Sequence, residues 1–236
     1  MEAYLSMLDM NDDLSRQCER LMTVSISRFF RDRVLWQTIQ QTIFPALIDN
    51  NEEKIKVWSA GCACGEEVYS LRIIWDSMKK CFVNLPSLEI IATDMNPDYL
   101  DRACAGIYSF SSLREVSEEL RAIYFETGDN GRLYTVKSLL RKDITWKLHN
   151  LFSDPPGSDF HVILLRNNLL TYYQNRPKET VFRKVMESLL PHGFLIIGLK
   201  ESLPFETEDL IPFDSCPCVF RKDEKEYTFY RLSRVW

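Results

Sequence analysis

At 236 residues, of which 45% are apolar and 27% charged, the chain can bury a full core, as one main domain with a smaller appendage. A net charge of −5 disfavours nucleic-acid binding through a generally basic surface. No apolar run is long enough to cross a bilayer and Met1-Glu2-Ala3 does not open a signal peptide, so a soluble cytoplasmic protein without membrane insertion is expected.

Residues 1–22 are compatible with a helix carrying both charge signs. Ser25 or Ser27 can then N-cap a second helix, predicted to run towards Phe44 and to stop near Pro45. Phe29, Phe30, Trp36, Ile39 and Ile43 supply its apolar side, and on spacing alone Arg31 reads as a solvated helix charge.

The main α/β core begins near residue 52. Ile55, Val57 and Trp58 form a β run that meets Gly61 and Gly65, and a helix with Leu71, Ile74, Trp75 and Met78 at helical spacing follows from Glu66 towards Phe82. Strand, glycine turn and helix bring backbone close to a nucleotide. Leu88–Asp94 is a second apolar strand ending in an acid suited to the two hydroxyls of a ribose. No Gly-Lys-Ser/Thr phosphate cradle is present, and Glu66-Glu67 would repel a pyrophosphate. A nucleoside without phosphates and bearing a cation fits better, which points to S-adenosylmethionine (SAM), with S-adenosylhomocysteine (SAH) as product.

Pro97 opens a helix down to Ala105, Gly106-Ile107-Tyr108 breaks it, and a polar amphipathic helix follows over 112–124. Residues 126–143 predict a small antiparallel excursion around Gly128–Gly131, flanked by the basic Lys137, Arg141 and Lys142. The sheet resumes with Ile144–Leu151 and a buried central strand at Phe160–Leu165, which delivers Arg166-Asn167-Asn168. A helix is predicted over Asn175–Leu190, a turn at Pro191-His192-Gly193 and a strand at Phe194–Gly198. A last strand, Tyr227–Leu232, should pair antiparallel near Val219–Phe220. Alternating β and α units that end in a hairpin outline a Rossmann-like SAM-dependent methyltransferase sheet. The seven cysteines read as reduced thiols, and Cys62/Cys64 as small residues in a tight turn rather than zinc ligands.

Val57-Trp58-Ser59-Ala60-Gly61-Cys62, Gly65-Glu66-Glu67, Ala92-Thr93-Asp94, Ala105–Tyr108, Asn150-Leu151 and Arg166-Asn167 leading to Thr171-Tyr172 resemble the CheR-type chemoreceptor glutamate methyltransferases. Ser27-Arg28-Phe29-Phe30-Arg31-Asp32 resembles that family's Ser/Thr-x-Phe-Phe-Arg-Glu/Asp signature, and this reverses the solvated reading of Arg31. The resemblance implies a shortened helical cap over residues 1–50 and a methyltransferase domain over 51–236, with a β-subdomain inserted at 126–143. It implies that Ala60, Gly61 and Glu66 line the methionine end of SAM, with Glu66 on the ammonium. Asp94 would take the ribose, Asn150 and Leu151 the adenine, and Arg166 and Asn167 would also border the cofactor. Ser27 and Arg31 would close the site from the cap, and Tyr172 would sit near the transferred methyl, so Arg31 and Tyr172 carry the catalytic expectation. A chemoreceptor-like protein is the implied partner, and no metal is implied.

A glutamate acceptor is already ionised at neutral pH and needs no general base, and no histidine falls on a matched position. The chain departs from the family in its acidic cap (Asp9, Asp12, Asp13, Glu19) and in the extra residue of Leu165-Arg166-Asn167-Asn168. It also has Gly198-Leu199-Lys200-Glu201 in place of Gly-His-Ser-Glu. Methylation of another acceptor, and a SAM-binding module without catalysis, therefore stay open at this stage.

Overall fold

The structure, a computed structural model, describes residues 27–50, 53–128, 131–172, 175–205, 207–213 and 216–223, with backbone alone at 172 and 175–177. The helix expected over 1–22, Ser25, and the last strand Tyr227–Leu232 lie outside these residues.

Helix α1 (Arg33–Thr38) runs through a π-helical turn, Ile39–Ile43, into α2 (Phe44–Asp49). This corrects both ends of the expected helix. It does not start at Ser27: Phe30 and Asp32 take left-handed backbone (φ 53° and 69°), which turns the chain where a helix would coil it. Nor does it stop at Pro45. The proline has no N–H to give, and the wider π turn, with Phe44 N–H reaching Ile39 O, absorbs the missing bond.

The main sheet contains β1 (Lys54–Ala60), β2 (Ser87–Asp94), β6 (Ile144–Leu148), β7 (Phe160–Leu165), β8 (Leu189–Ile197), β9 (Leu210–Pro212) and β10 (Val219–Lys222). Their spatial order is β6-β2-β1-β7-β8-β10-β9. The first five run parallel and β10 is antiparallel to both its neighbours. From β1 the chain builds outward through β2 to β6 and then returns to β7 on the other side of β1. The strand order therefore reverses between β1 and β7, and a crevice opens there at the carboxyl ends of the strands. Val57, Trp58, Ile90, Val162 and Ile163 are buried on β1, β2 and β7, so these strands carry continuous apolar runs, as parallel strands covered on both faces require.

Helix α3 (Glu66–Met78) follows the glycine turn and α4 (Pro97–Ala105) follows β2, capped by the Asn96 side chain on Asp98 N–H. The predicted 112–124 helix divides into a 3₁₀ turn (Phe110–Leu113) and α5 (Glu118–Tyr124), which Ser117 caps. A separate three-stranded antiparallel sheet, in order β3-β5-β4, uses β3 (Ile107–Ser109), β4 (Phe125–Thr127) and β5 (Leu133–Val136). It therefore draws in residues upstream of the expected 126–143. Lys137 and Arg141 serve as caps there. Lys137 Nζ donates to Ala122 O and Ile123 O, and Arg141 donates to Cys104 O and Ala105 O.

Short α6 (Leu169–Tyr172) leads into α7 (Asn175–Glu187), which ends before the expected Leu190. Strand β8 begins at Leu189 and passes straight through Pro191-His192-Gly193. A register shift opposite Phe160–Val162 and a left-handed His192 (φ 61°) mark a bulge in place of the turn.

Two hydrophobic cores result. The larger lies around the main sheet. The smaller joins Phe29 of the cap, Cys64, Tyr69 and Ile73 around α3, and Tyr108, Leu113, Tyr124, Phe125 and Val136 around the small sheet. Phe29 meets Tyr108 and Phe125 edge-on, at 4.9 and 5.2 Å between ring centroids.

Candidate functional site

The crevice is built on the turn between β1 and α3. Gly61 and Cys62 both donate their backbone N–H to Thr93 O at 2.8 Å, which ties the ends of β1 and β2 together. Gly61 has φ 82° and Gly65 φ 87°, a conformation that side chains rarely adopt. Space closes the second position as well: a Cβ on Gly65 would come within 2.9 Å of Ala103 and Trp146. Cys62 and Cys64 are buried in this turn, and burial raises both thiols, Cys64 to about 11. They serve as small packing residues.

Glu66, first residue of α3, is 4% exposed. Burial raises its carboxyl above the ordinary 4.5, and its own backbone N–H, then the Ser27 hydroxyl, then the charge of Arg102 and last the Ser112 hydroxyl partly offset this. Ser112 Oγ lies 3.5 Å from Oε1, while Oε2 is buried and meets no hydrogen-bond donor among the described residues. A buried carboxylate oxygen in that condition calls for a cationic donor. Asp94, at the tip of β2, holds Ala63 N–H on Oδ2 and Asn96 N–H on Oδ1, each at 2.9 Å. Burial raises its pKa, and those amides oppose the shift. The amides fix the carboxylate's orientation, and it retains acceptor capacity for hydroxyl donors.

The adenine-side expectation falls on the loop after β6. His149 N–H bonds Asp94 O at 3.0 Å, which holds that loop beside Asp94. Asn150 is exposed and its Oδ1 accepts Phe152 N–H at 3.0 Å, and Leu151 packs against the main core. The His149 ring stands edge-on to Trp58, with Nε2 2.8 Å from Asp154 O.

The cap segment is pinned at several points. Phe29 N–H bonds Ser112 O (3.0 Å), Phe30 N–H bonds Ser70 Oγ (3.1 Å) and Trp36 Nε1 donates to Arg31 O (2.6 Å). Ser27 is half-buried at the start of this segment, its hydroxyl is among the groups that lower Glu66, and half-buried Arg31 lies between fixed neighbours. Arg166, at the end of β7, is tied to the cap and to α3. Its guanidinium is taken up by Asp32 (2.5 Å) and Glu67 (2.7 Å), and Glu67 also accepts from Ser59 Oγ at 3.0 Å. Burial by itself would lower Arg166, but the charges of Glu67 and then Asp32 outweigh it and hold the side chain cationic. Arg166 is a bolt that joins Asp32 of the cap segment to Glu67 of α3.

Asn167 has left-handed backbone (φ 53°). Asn168, the residue that lengthens this turn, donates its amide to Ala60 O and stands over Gly61. Tyr172 closes α6, and its side chain lies outside the described residues. Three participants were not foreseen. Asp32 lacked any visible partner in sequence, Ser112 sat in an unremarkable polar stretch, and Glu201 looked like part of an altered motif. The spacing of Glu201, three residues beyond the strand-end Gly198, was the available signal.

The glycine turn at the switch point, the buried Glu66 oxygen without a donor among the described residues and the oriented carboxylate of Asp94 suit a nucleoside that carries an ammonium. Together with the sheet they define a class, the SAM-dependent methyltransferases of Rossmann-like fold. Within that class the chain belongs to the CheR methyltransferase family: residues 25–218 match its SAM binding domain, and SAM is the cofactor. The "Chemotaxis protein methyltransferase" of Listeria innocua serovar 6a is 34% identical over 184 residues, 78% of this chain and 67% of that protein. Its namesake in Listeria monocytogenes serovar 1/2a is 35% identical over the same shares. "Chemotaxis protein methyltransferase 1" of Vibrio cholerae serotype O1 is 32% identical over 195 residues, 82% of this chain and 70% of the relative. No helix among the described residues is long and apolar enough to cross a membrane.

Proposed function

We propose that this protein methylates glutamate carboxylates of a chemoreceptor-like protein in the cytoplasm. The observation that carries this reading is the family match across 25–218, joined to relatives named as chemotaxis methyltransferases. Bound SAM supplies an electrophilic methyl group on a sulfonium. Glu66 holds the ammonium, Asp94 the ribose hydroxyls, and Asn150 and Leu151 the adenine, beside the backbone of Ala60 and Gly61. Ser27 and Arg31 close the crevice from the cap and exclude water. Tyr172 orients the acceptor. Asn167 shapes the turn that carries it, and Arg166 keeps cap and core in register. We read residues 1–50 as the cap and 51–236 as the catalytic domain, with the small sheet as its insertion.

A carboxylate acceptor suits the histidine inventory. His149 bonds Asp154 O, and His161 Nδ1 accepts Lys56 N–H at 3.1 Å between β1 and β7. His192 sits in the β8 bulge. An acceptor already ionised at neutral pH asks no base of them. The test is incubation of the protein with methyl-labelled SAM and membranes of its source cell. Base-labile label on a receptor-sized band is expected. Base-stable label, or label confined to small molecules, would overturn the reading.

A further inference from the structure

We propose that Glu201 is a positioning residue for methyl transfer: its carboxylate clamps the ends of β7 and β8 and so sets the turn that carries Asn167 to Tyr172. Oε2 accepts two backbone N–H groups, from Asn167 at 2.9 Å and Gly198 at 2.7 Å, and Oε1 accepts the Thr171 hydroxyl at 2.5 Å. The clamp's own backbone is returned to the same place by Glu201 N–H on Gly198 O at 2.9 Å. Its fit leaves no room for a side chain at Gly198, where a Cβ would lie 2.7 Å from both Asn167 Oδ1 and Glu201 Oε2. Charge-assisted bonds of this kind are roughly twice as strong as neutral ones. Here three converge from two strand ends and one helix.

The turn is held from two directions. From the cap, α3 and β1 it is held by other groups, Arg166 by Asp32 and Glu67, and Asn168 by Ala60 O. Glu201 holds it from the end of β8, at Asn167 N–H and the Thr171 hydroxyl. Loss of its carboxylate should therefore loosen the β8 side while Glu66 and Asp94, on the other side of β1, keep their places. This inference rests on the proposed reading of Tyr172 as the acceptor-side residue.

The experiment compares wild type, Glu201→Gln and Thr171→Val by three measurements. These are SAH affinity by calorimetry, kcat and KM for SAM on whichever acceptor the wild type labels, and hydrogen exchange at the Asn167 and Gly198 amides. Glu201→Gln keeps the shape but offers one acceptor oxygen where two served. Expected are faster exchange at those two amides, SAH affinity and KM for SAM within about threefold, and kcat lower by about ten- to hundredfold. Thr171→Val should fall between. Unchanged kcat, unchanged exchange, or SAH affinity that drops in step with kcat would overturn the clamp. Label on a non-carboxyl acceptor would sink the proposed function but leave the clamp to be judged on that acceptor's kcat. If wild type transfers no label, the proposed function falls and the exchange and SAH measurements decide the clamp.

Discussion

Replacement of Arg166 by methionine should destabilise the protein through the charges it leaves behind. The arginine side chain is 6% exposed and contacts carboxylates of Asp32 and Glu67 that are themselves 20% and 14% exposed. Methionine keeps much of the aliphatic stem, so the main change is two acids facing one another without a cation. Breaking a buried ion pair by removing one partner costs about 3–5 kcal/mol. The partial exposure of Asp32 favours the lower end, about 3 kcal/mol, which for a chain of this size lowers Tm by about 6–12 °C. Urea unfolding with a fixed m-value measures the loss. The triple variant Asp32→Asn, Glu67→Gln, Arg166→Met removes every charge and should recover much of it, because a neutral set no longer strands a buried ion. A loss below about 1 kcal/mol in the single variant would refute the bolt. A loss that the triple variant fails to recover would assign the effect to packing of the stem.

Three further outcomes are expected. Asp94→Ala should weaken SAM and SAH by about ten- to hundredfold, the value of roughly 1.5–3 kcal/mol for hydrogen bonds to a charged acceptor; unchanged calorimetric affinity would remove Asp94 from the ribose. Burial raises Glu66 and Asp94 above their ordinary 4.5 and 3.8, so their share of the apoprotein's stability is full at acid pH and is lost as pH rises through the raised values. A cation on Glu66 needs the carboxylate, so SAM affinity should fall as pH drops from neutral towards the ordinary carboxylate range. Calorimetry in two buffers of different ionisation enthalpy should register protons released on binding, and a flat profile across that interval would count against Glu66. Tyr172→Phe should lower turnover while SAH affinity persists, and equal turnover would restrict the site's carried-over roles to cofactor binding.

The glycine turn and Asp94 were legible because each depends on neighbours in sequence: a β run, two glycines and an acid at a strand tip. The parallel sheet was legible from the alternation of strands and helices. The start of the cap helix was not. Ser27 has the right chemistry for an N-cap, but burying Phe29 between Tyr108 and Phe125 decides the local backbone, and propensity yields to that tertiary contact. The ion pair of Arg166 was not legible, because nothing local marks its partner Asp32, 134 positions earlier. Glu201 was hidden by the changed residues around it, although the glutamate itself keeps its distance from Gly198. Lys137 and Arg141 read only as basic residues flanking the small excursion, since charge in a sequence does not reveal that helix carbonyls stand within reach.

The smaller core has a consequence for how this protein could be divided. Tyr108, on the first strand of the small sheet, donates its hydroxyl to Cys64 O at 2.7 Å, one residue before Gly65, and Tyr69 on α3 reaches back to Ala103 O at 2.9 Å. Phe29 is wedged into the same cluster from the cap. The small sheet is thus a wall of the cofactor turn rather than an outboard module, and its outline in the sequence is a poor guide for cutting. A chimera that exchanges the small sheet for a relative's would also exchange the surface against which the turn and the cap are seated. Only a graft that keeps Tyr108 and Phe125 leaves that seat intact.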